Sequence, residues 1–266
     1  MINYIKNILK QKTLLITYYS IGTFLYALLL ILTFPGVKNS SKAYTQIVNS
    51  FPKALLHALG VSSGKFNFLN YLSGKYLTII LPLILIFFIV SFVNSQIVGQ
   101  IEDKTIGLIL SLPISRFKIF LSKYISGLIA ILIFIIFAVI LIIPIASIEN
   151  FKYSQIDIYL ISVLTFVFGL SILSFSFFIS SIFANRGKST MVISAVVFIM
   201  YVFNVVYSLS SSLKVLKYFS IFYYYNINSI IQNGNIKTSS VIVFISMFVI
   251  FILPGIFIFL KRDIEL

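Results

Sequence analysis

The sequence predicts an all-α, polytopic integral membrane protein with about six transmembrane helices and an amphipathic cytoplasmic elbow between the second and third spans. Three observations carry this. Of 266 residues, 60% are hydrophobic and 10% charged, against roughly 45 to 50% apolar and 25% charged in a soluble domain. The apolar residues fall in charge-free runs long enough to cross roughly 30 Å of hydrocarbon as helices. Those runs show no period-two alternation, so the backbone groups that lipid leaves unsolvated must pair within helices rather than in a barrel. The whole chain, 1–266, reads as one transmembrane unit, with spans at approximately 14–34, 76–98, 124–147, 158–184, 190–213 and 238–260.

Lys6, Lys10 and Lys12 precede the first charge-free run, Thr13 to Val37. Its apolar stretch, Leu14 to Phe34, exceeds the roughly 7 to 15 residues of a signal-peptide core and lacks a small-residue cleavage site, so a retained first span is expected. The next runs are Tyr76 to Ile101, Tyr124 to Ile148, Ile158 to Asn185, Ser189 to Leu213 and Thr238 to Leu260. In the last, 16 of the 20 residues from Val241 to Leu260 are Ile, Leu, Val or Phe, each favouring insertion by about 0.3 to 0.6 kcal/mol near the helix centre. Pro82, Pro144 and Pro254 shape helices rather than mark chemistry, since neighbouring helices re-satisfy the backbone groups that proline frees.

The net charge of +14 does not indicate nucleic acid. The Lys and Arg residues sit in short clusters between apolar runs, where they anchor the chain at the surface of a lipid bilayer, rather than on one basic face. With the N-terminus inside, the cytoplasmic segments hold eleven Lys and Arg and the outer loops nine, but the inner segments are shorter. Basic density therefore places both termini in the cytoplasm. Zero cysteines rule out a disulfide framework and thiolate metal sites. The bias to Ile, Lys, Phe and Asn fits an AT-rich bacterial genome, and hence a multi-pass protein of a bacterial cell membrane.

Two outer loops carry local signals. Ser50-Phe51-Pro52 followed by Leu55, Leu56, Leu59 and Gly60 predicts a short helix on the outer surface. Phe222 with Tyr223, Tyr224 and Tyr225 suits either a segment packed back on the bundle or a belt of interfacial aromatics.

Catalytic chemistry is absent from the pattern. Gly187-Lys188-Ser189 resembles the end of a phosphate-binding loop, but the leading glycine that the motif needs is replaced by Ile182. None of the charge-free runs contains Asp, Glu, Lys, Arg or His, which argues against proton relays and intramembrane hydrolysis. Asn94, Gln96, Ser174 and Asn204 are candidates to line a route through the bundle. Interhelical hydrogen bonding explains them equally well.

Between the second and third spans, Ile101, Leu108 and Leu112 follow helical spacing with Glu102 and Asp103 in the first turn, where acids complement the helix dipole. Pro113 stops that helix, and Ser115 caps a second one bearing the stripe Ile114, Phe117, Phe120, Leu121 and Tyr124, with Arg116, Lys118 and Lys123 off it. Physics alone favours an amphipathic linker. Glu102, Thr105, Leu108 to Leu112, Pro113, Ser115, Arg116 and Lys123 nevertheless resemble, in order and spacing, the elbow of type-two ABC exporter permeases. Phe51-Pro52-Lys53-Ala54-Leu55-Leu56 is similar to a pattern in the first outer loop of these permeases, and Lys261-Arg262-Asp263-Ile264 to their C-terminal ending. Lys104 stands where that family frequently has glycine, and one matched glutamate stands where paired acids are common.

The resemblance implies a permease domain without enzymatic activity. It would pair with a second permease copy or a related permease and dock on a separate ABC ATPase subunit that binds ATP and Mg. It assigns the coupling contacts to Glu102, Thr105, Leu112, Pro113, Arg116 and Lys123. The rival readings are an ATP-independent carrier or channel and a membrane partner without transport.

Overall fold

A computed structural model describes residues 1–39, 67–105, 107, 114–209 and 211–262. The proposed outer helix at Ser50 to Gly60, Leu112 and Pro113 of the elbow, and the Asp263-Ile264 ending lie outside the described residues. Among those described, the chain is helical and six helices are long and apolar enough to cross a membrane: Thr13–Lys38, Ile80–Glu102, Arg116–Ile148, Gln155–Ile182, Arg186–Leu209 and Thr238–Lys261.

The third helix begins at Arg116, so the stripe that the sequence reading gave to a second elbow helix forms the first turns of the third span. Ser115 is its N-cap, with Lys118 N–H facing the hydroxyl at 3.4 Å. A feature absent from the sequence reading is a separate amphipathic helix, α1 (Ile2–Gln11), ahead of the first span. Tyr4, Ile5, Ile8 and Leu9 form its inward face while Lys6 and Lys10 stay exposed, and the helix packs on the start of the third span. Thr13 closes the join by donating to the carbonyls of Leu9 and Lys10 at 3.1 and 2.9 Å.

In lipid the helices gain nothing from hiding apolar surface, so close packing, small residues and hydrogen bonds hold the bundle. The second and fourth spans form its centre, two thirds (67%) of each apolar window being buried, while the fifth is 11% buried. Gly127 and Gly169 let the third and fourth spans approach, since an added Cβ would lie 2.9 Å from Leu173 or 3.2 Å from Ile131. Gly255 does the same for the sixth span, where a Cβ would stand 3.3 Å from the Phe178 backbone. Aromatic side chains fill the rest: Phe88 stacks on Phe134 at 5.3 Å, and Phe120 meets Phe177 and Phe259 at 5.3 and 5.4 Å.

At the end opposite the elbow, two π-helical turns occur, Ser73–Leu77 and Ile136–Ile140. A π turn leaves backbone groups in need of partners, and Tyr76 OH donates to the Ala138 carbonyl at 2.8 Å. The aromatic stretch after the fifth span folds into two short helices, Ile221–Tyr224 and Ile227–Asn233. Fully buried Tyr225 pairs with Thr165 of the fourth span at 2.9 Å, so this segment packs on the bundle.

Candidate functional site

The second, fourth and sixth spans end, and the first, third and fifth begin, at one face of the bundle. Helix ends expose unpaired carbonyls or N–H groups carrying about half a charge, and Glu102, Arg116, Lys123, Arg186 and Arg262 meet such groups there.

Span two bends at its end. Ser95 Oγ donates to the Phe92 carbonyl at 2.7 Å, a local bond that competes with the helix, and Ile97 takes φ −108°, ψ −72°. Lys123 completes the bend. It is fully buried in the third span, its Nζ donating to the Gln96 carbonyl at 2.7 Å and to Gln100 Oε1 at 2.6 Å, 5.9 Å from the Phe259 ring. Lys123, expected off the apolar stripe with Arg116 and Lys118, thus points inward, where the Gln96 carbonyl and Gln100 supply its acceptors.

Arg186 opens the fifth span and holds the elbow. Its guanidinium donates to the Gly99 carbonyl at 3.1 Å and pairs with Asp103, with Glu102 Oε2 at 3.5 Å. Glu102 also accepts the Arg186 backbone N–H at 3.1 Å, so the carboxylate sits on the positive end of the fifth span. Gly99 leaves room for this approach, since a Cβ there would lie 2.9 Å from the guanidinium and displace it. Asn185 caps the same helix by accepting Lys188 N–H at 3.0 Å. Gly187-Lys188-Ser189 is therefore the first turn of that span. Lys12, at the end of α1, has its pKa lowered by burial first and Arg186 second, against an opposing pull from Asp103, which brings the N-terminal helix to the same cluster.

Arg116 donates to the carbonyls of Leu260 and Arg262 at 3.3 and 3.0 Å, closing the C-terminus of the sixth span. Arg262 in turn donates to Ser181 and Phe183 carbonyls at 2.9 and 3.0 Å, closing the fourth. Cations at helix C-termini are the favourable placement. The second to sixth spans are thereby each tied to a neighbour at this face through a charged side chain.

Thr105 is exposed, and its hydroxyl donates to Gln100 O at 3.3 Å. Lys104 just before it has φ +56°, the left-handed conformation that costs a side-chain-bearing residue about 1 to 2 kcal/mol and glycine little. This is the position where the sequence departs from a frequent glycine. Lys104→Gly is expected to stabilise the protein by about 1 kcal/mol, read as a rise in the detergent unfolding temperature, and a fall would refute the strain.

The polar residues of the spans separate into different roles. Asn94 is buried, with Oδ1 accepting from Ser180 at 2.8 Å and Ser189 at 2.7 Å and Nδ2 donating to Thr190 at 2.7 Å, which joins the second, fourth and fifth spans. Ser174 pairs with Tyr124 at 2.8 Å. Gln96 is wholly buried, and its side-chain amide has no partner among the described residues. Asn204 is half-buried on the sparsely packed fifth span.

Comparison with known families decides what this bundle belongs to. A family model described as ABC-2 family transporter protein matches residues 11–264. The chain belongs to the ABC-2 transporter family. It is a multi-pass membrane protein and a permease component of an ABC transporter. Among curated proteins no match to the permease is found. The residues that sequence reasoning missed are Arg186, Arg262 and Gln100. A signal for the first was present: the chain has six acids, and Glu102 with Asp103 stand on the same predicted side as the Arg186 turn.

Proposed function

We propose that the permease is the membrane-spanning half of an ATP-driven exporter. It pairs with a second permease, identical or related, lies in a bacterial cell membrane with both termini in the cytoplasm, and takes its driving force from a separate ATPase subunit that binds ATP and Mg. The observation that supports this best is the tying of the second to sixth spans to one another at the elbow face. A displacement applied to the Glu102-to-Lys123 elbow passes through Arg186 to the fifth span, through Arg116 to the sixth and through Arg262 to the fourth, by direct contact. Such a linkage turns docking of an ATPase into a rigid-body tilt of helices around the route.

In this proposal Thr105, Leu112, Pro113 and Arg116 with Glu102 form the docking elbow, and Lys123 holds its angle from inside. Asn94, Gln96, Ser174 and Asn204 remain the proposed lining, Gln96 foremost because its amide has no partner among the described residues. The test is co-purification of the partner ATPase with wild type, Glu102→Lys and Arg116→Glu. Loss of the ATPase or of coupled transport with membrane insertion intact is expected, and near-normal values for both variants would leave only a linker. Because the chain has no cysteine, single-cysteine labelling near Lys65 and at the C-terminus reads orientation directly. Outside labelling at the C-terminus would overturn it.

A further inference from the structure

Where the fourth and sixth spans end at the elbow face, they leave a cleft of about 390 Å³ lined by Ser181, Ile182, Phe257, Ile258, Lys261 and Arg262, within the roughly 300 to 1,000 Å³ of small-ligand sites. We infer that this cleft is a binding site for an anionic phospholipid, headgroup phosphate on Lys261 and Arg262 and one acyl chain along the sixth span.

The chemistry of the lining divides in two. At its mouth stand exposed Lys261 and half-exposed Arg262. Arg262 uses its Nη1 on the carbonyls of Ser181 and Phe183, which leaves the remaining guanidinium N–H groups to donate elsewhere. Lys261 holds no carbonyl and lies over the Phe257 ring at 4.3 Å, with no hydrogen-bond partner among the described residues. Arg116 adds a third cation by donating to Arg262 O. The two helix C-termini contribute about half a negative charge each, so the mouth stays net positive among the described residues.

Below the mouth the lining is apolar and continues into the bilayer. Ile182 is 45% exposed and Phe257 58%, and from Phe257 an uncovered stripe runs through Leu253 and Ile250, both 61% exposed. These positions follow helical spacing down one face of the sixth span, a track that an acyl chain can occupy. Cations at headgroup depth over an apolar groove between span ends match a phospholipid, whereas a soluble phosphate uses the cations alone. The inference requires that the chain spans a membrane and stands whether or not it exports anything.

The test uses the full-length protein in mild detergent, titrated with phosphatidylglycerol and phosphatidylcholine, with bound lipid read by native mass spectrometry. Wild type is expected to retain phosphatidylglycerol over phosphatidylcholine. Lys261→Glu, which disturbs no backbone contact, is expected to weaken that retention about tenfold, and Lys261→Arg to preserve it. Lys10→Glu, on the same face outside the cleft, is expected to retain lipid as wild type does, and an equal loss there would overturn the site in favour of diffuse attraction. Glycerol phosphate or inorganic phosphate that binds as tightly as the lipid would assign the cleft to a free anion. Retention kept by Lys261→Glu while a soluble partner is lost would make it a protein-docking surface, and either result overturns the lipid. Asp263→Asn with Glu265→Gln is expected to keep the preference. A preference that arises only in that variant means that the acidic tail fills the cleft, and refutes the inference.

Discussion

Lys123→Ala is expected to destabilise the permease by about 2 to 4 kcal/mol, the range for deleting a long buried side chain that leaves a cavity. The lysine is fully buried between the second and third spans. Its Nζ donates to the Gln96 carbonyl and Gln100 Oε1, and its stem packs beside the bend at Ile97. Alanine removes the volume and orphans the Gln96 carbonyl and Gln100 Oε1 together. Lys123→Met restores the volume alone and is expected to cost less, about 1 to 2 kcal/mol. Thermal unfolding of the purified protein ranks the two. An alanine variant within about 0.5 kcal/mol of wild type would show that the side chain is not packed as described.

Arg186→Ala carries the second large effect, and it falls on coupling more than on stability. The ion pair with Glu102 is 44% and 40% exposed on its two sides, so screening limits it to about 0.2 to 1 kcal/mol. The Gly99 carbonyl contact adds a charge-assisted hydrogen bond, worth about 1.5 to 3 kcal/mol at most when shielded. A total loss near 2 kcal/mol is expected, together with a larger fall in partner-stimulated transport, because the elbow no longer moves with the fifth span. The exchanged pair, Glu102→Lys with Arg186→Glu, is expected to recover part of what each single reversal loses. Absence of any recovery would mean that Glu102 acts on an outside partner rather than on Arg186. Raising the salt is expected to weaken the wild-type pair, as screening requires.

Much of the elbow was legible residue by residue and little of it as an arrangement. Ser115 was recognisable from capping logic, which acts within one helical turn, whereas Glu102 and Asp103, expected in a first turn, stand at the C-terminal end of span two and Glu102 meets the N-terminus of the fifth span instead. Arg116 is exposed and also closes the sixth span, 144 and 146 residues away in the chain, a contact that no local pattern announces. The N-terminal helix escaped notice because three lysines in thirteen residues read first as a membrane flank, although Tyr4, Ile5, Ile8 and Leu9 already marked its face.

By itself the sequence determined the all-helical class, the six spans and their order, because insertion free energy accumulates over a single segment of about 20 residues and needs no partner. Span ends were less sharply determined: the third begins at Arg116 rather than near 124, since polar residues at headgroup depth continue a helix at little cost. Only the tertiary structure decided that Lys123 is inside, that Arg186 meets Gly99 across 87 residues, and that Asn94 gathers Ser180, Ser189 and Thr190 into one network. Those pairings depend on the rotation and depth of each helix against its neighbours. Close packing at glycines such as Gly127, Gly169 and Gly255 sets both, and apolar lipid-facing sequence leaves them free.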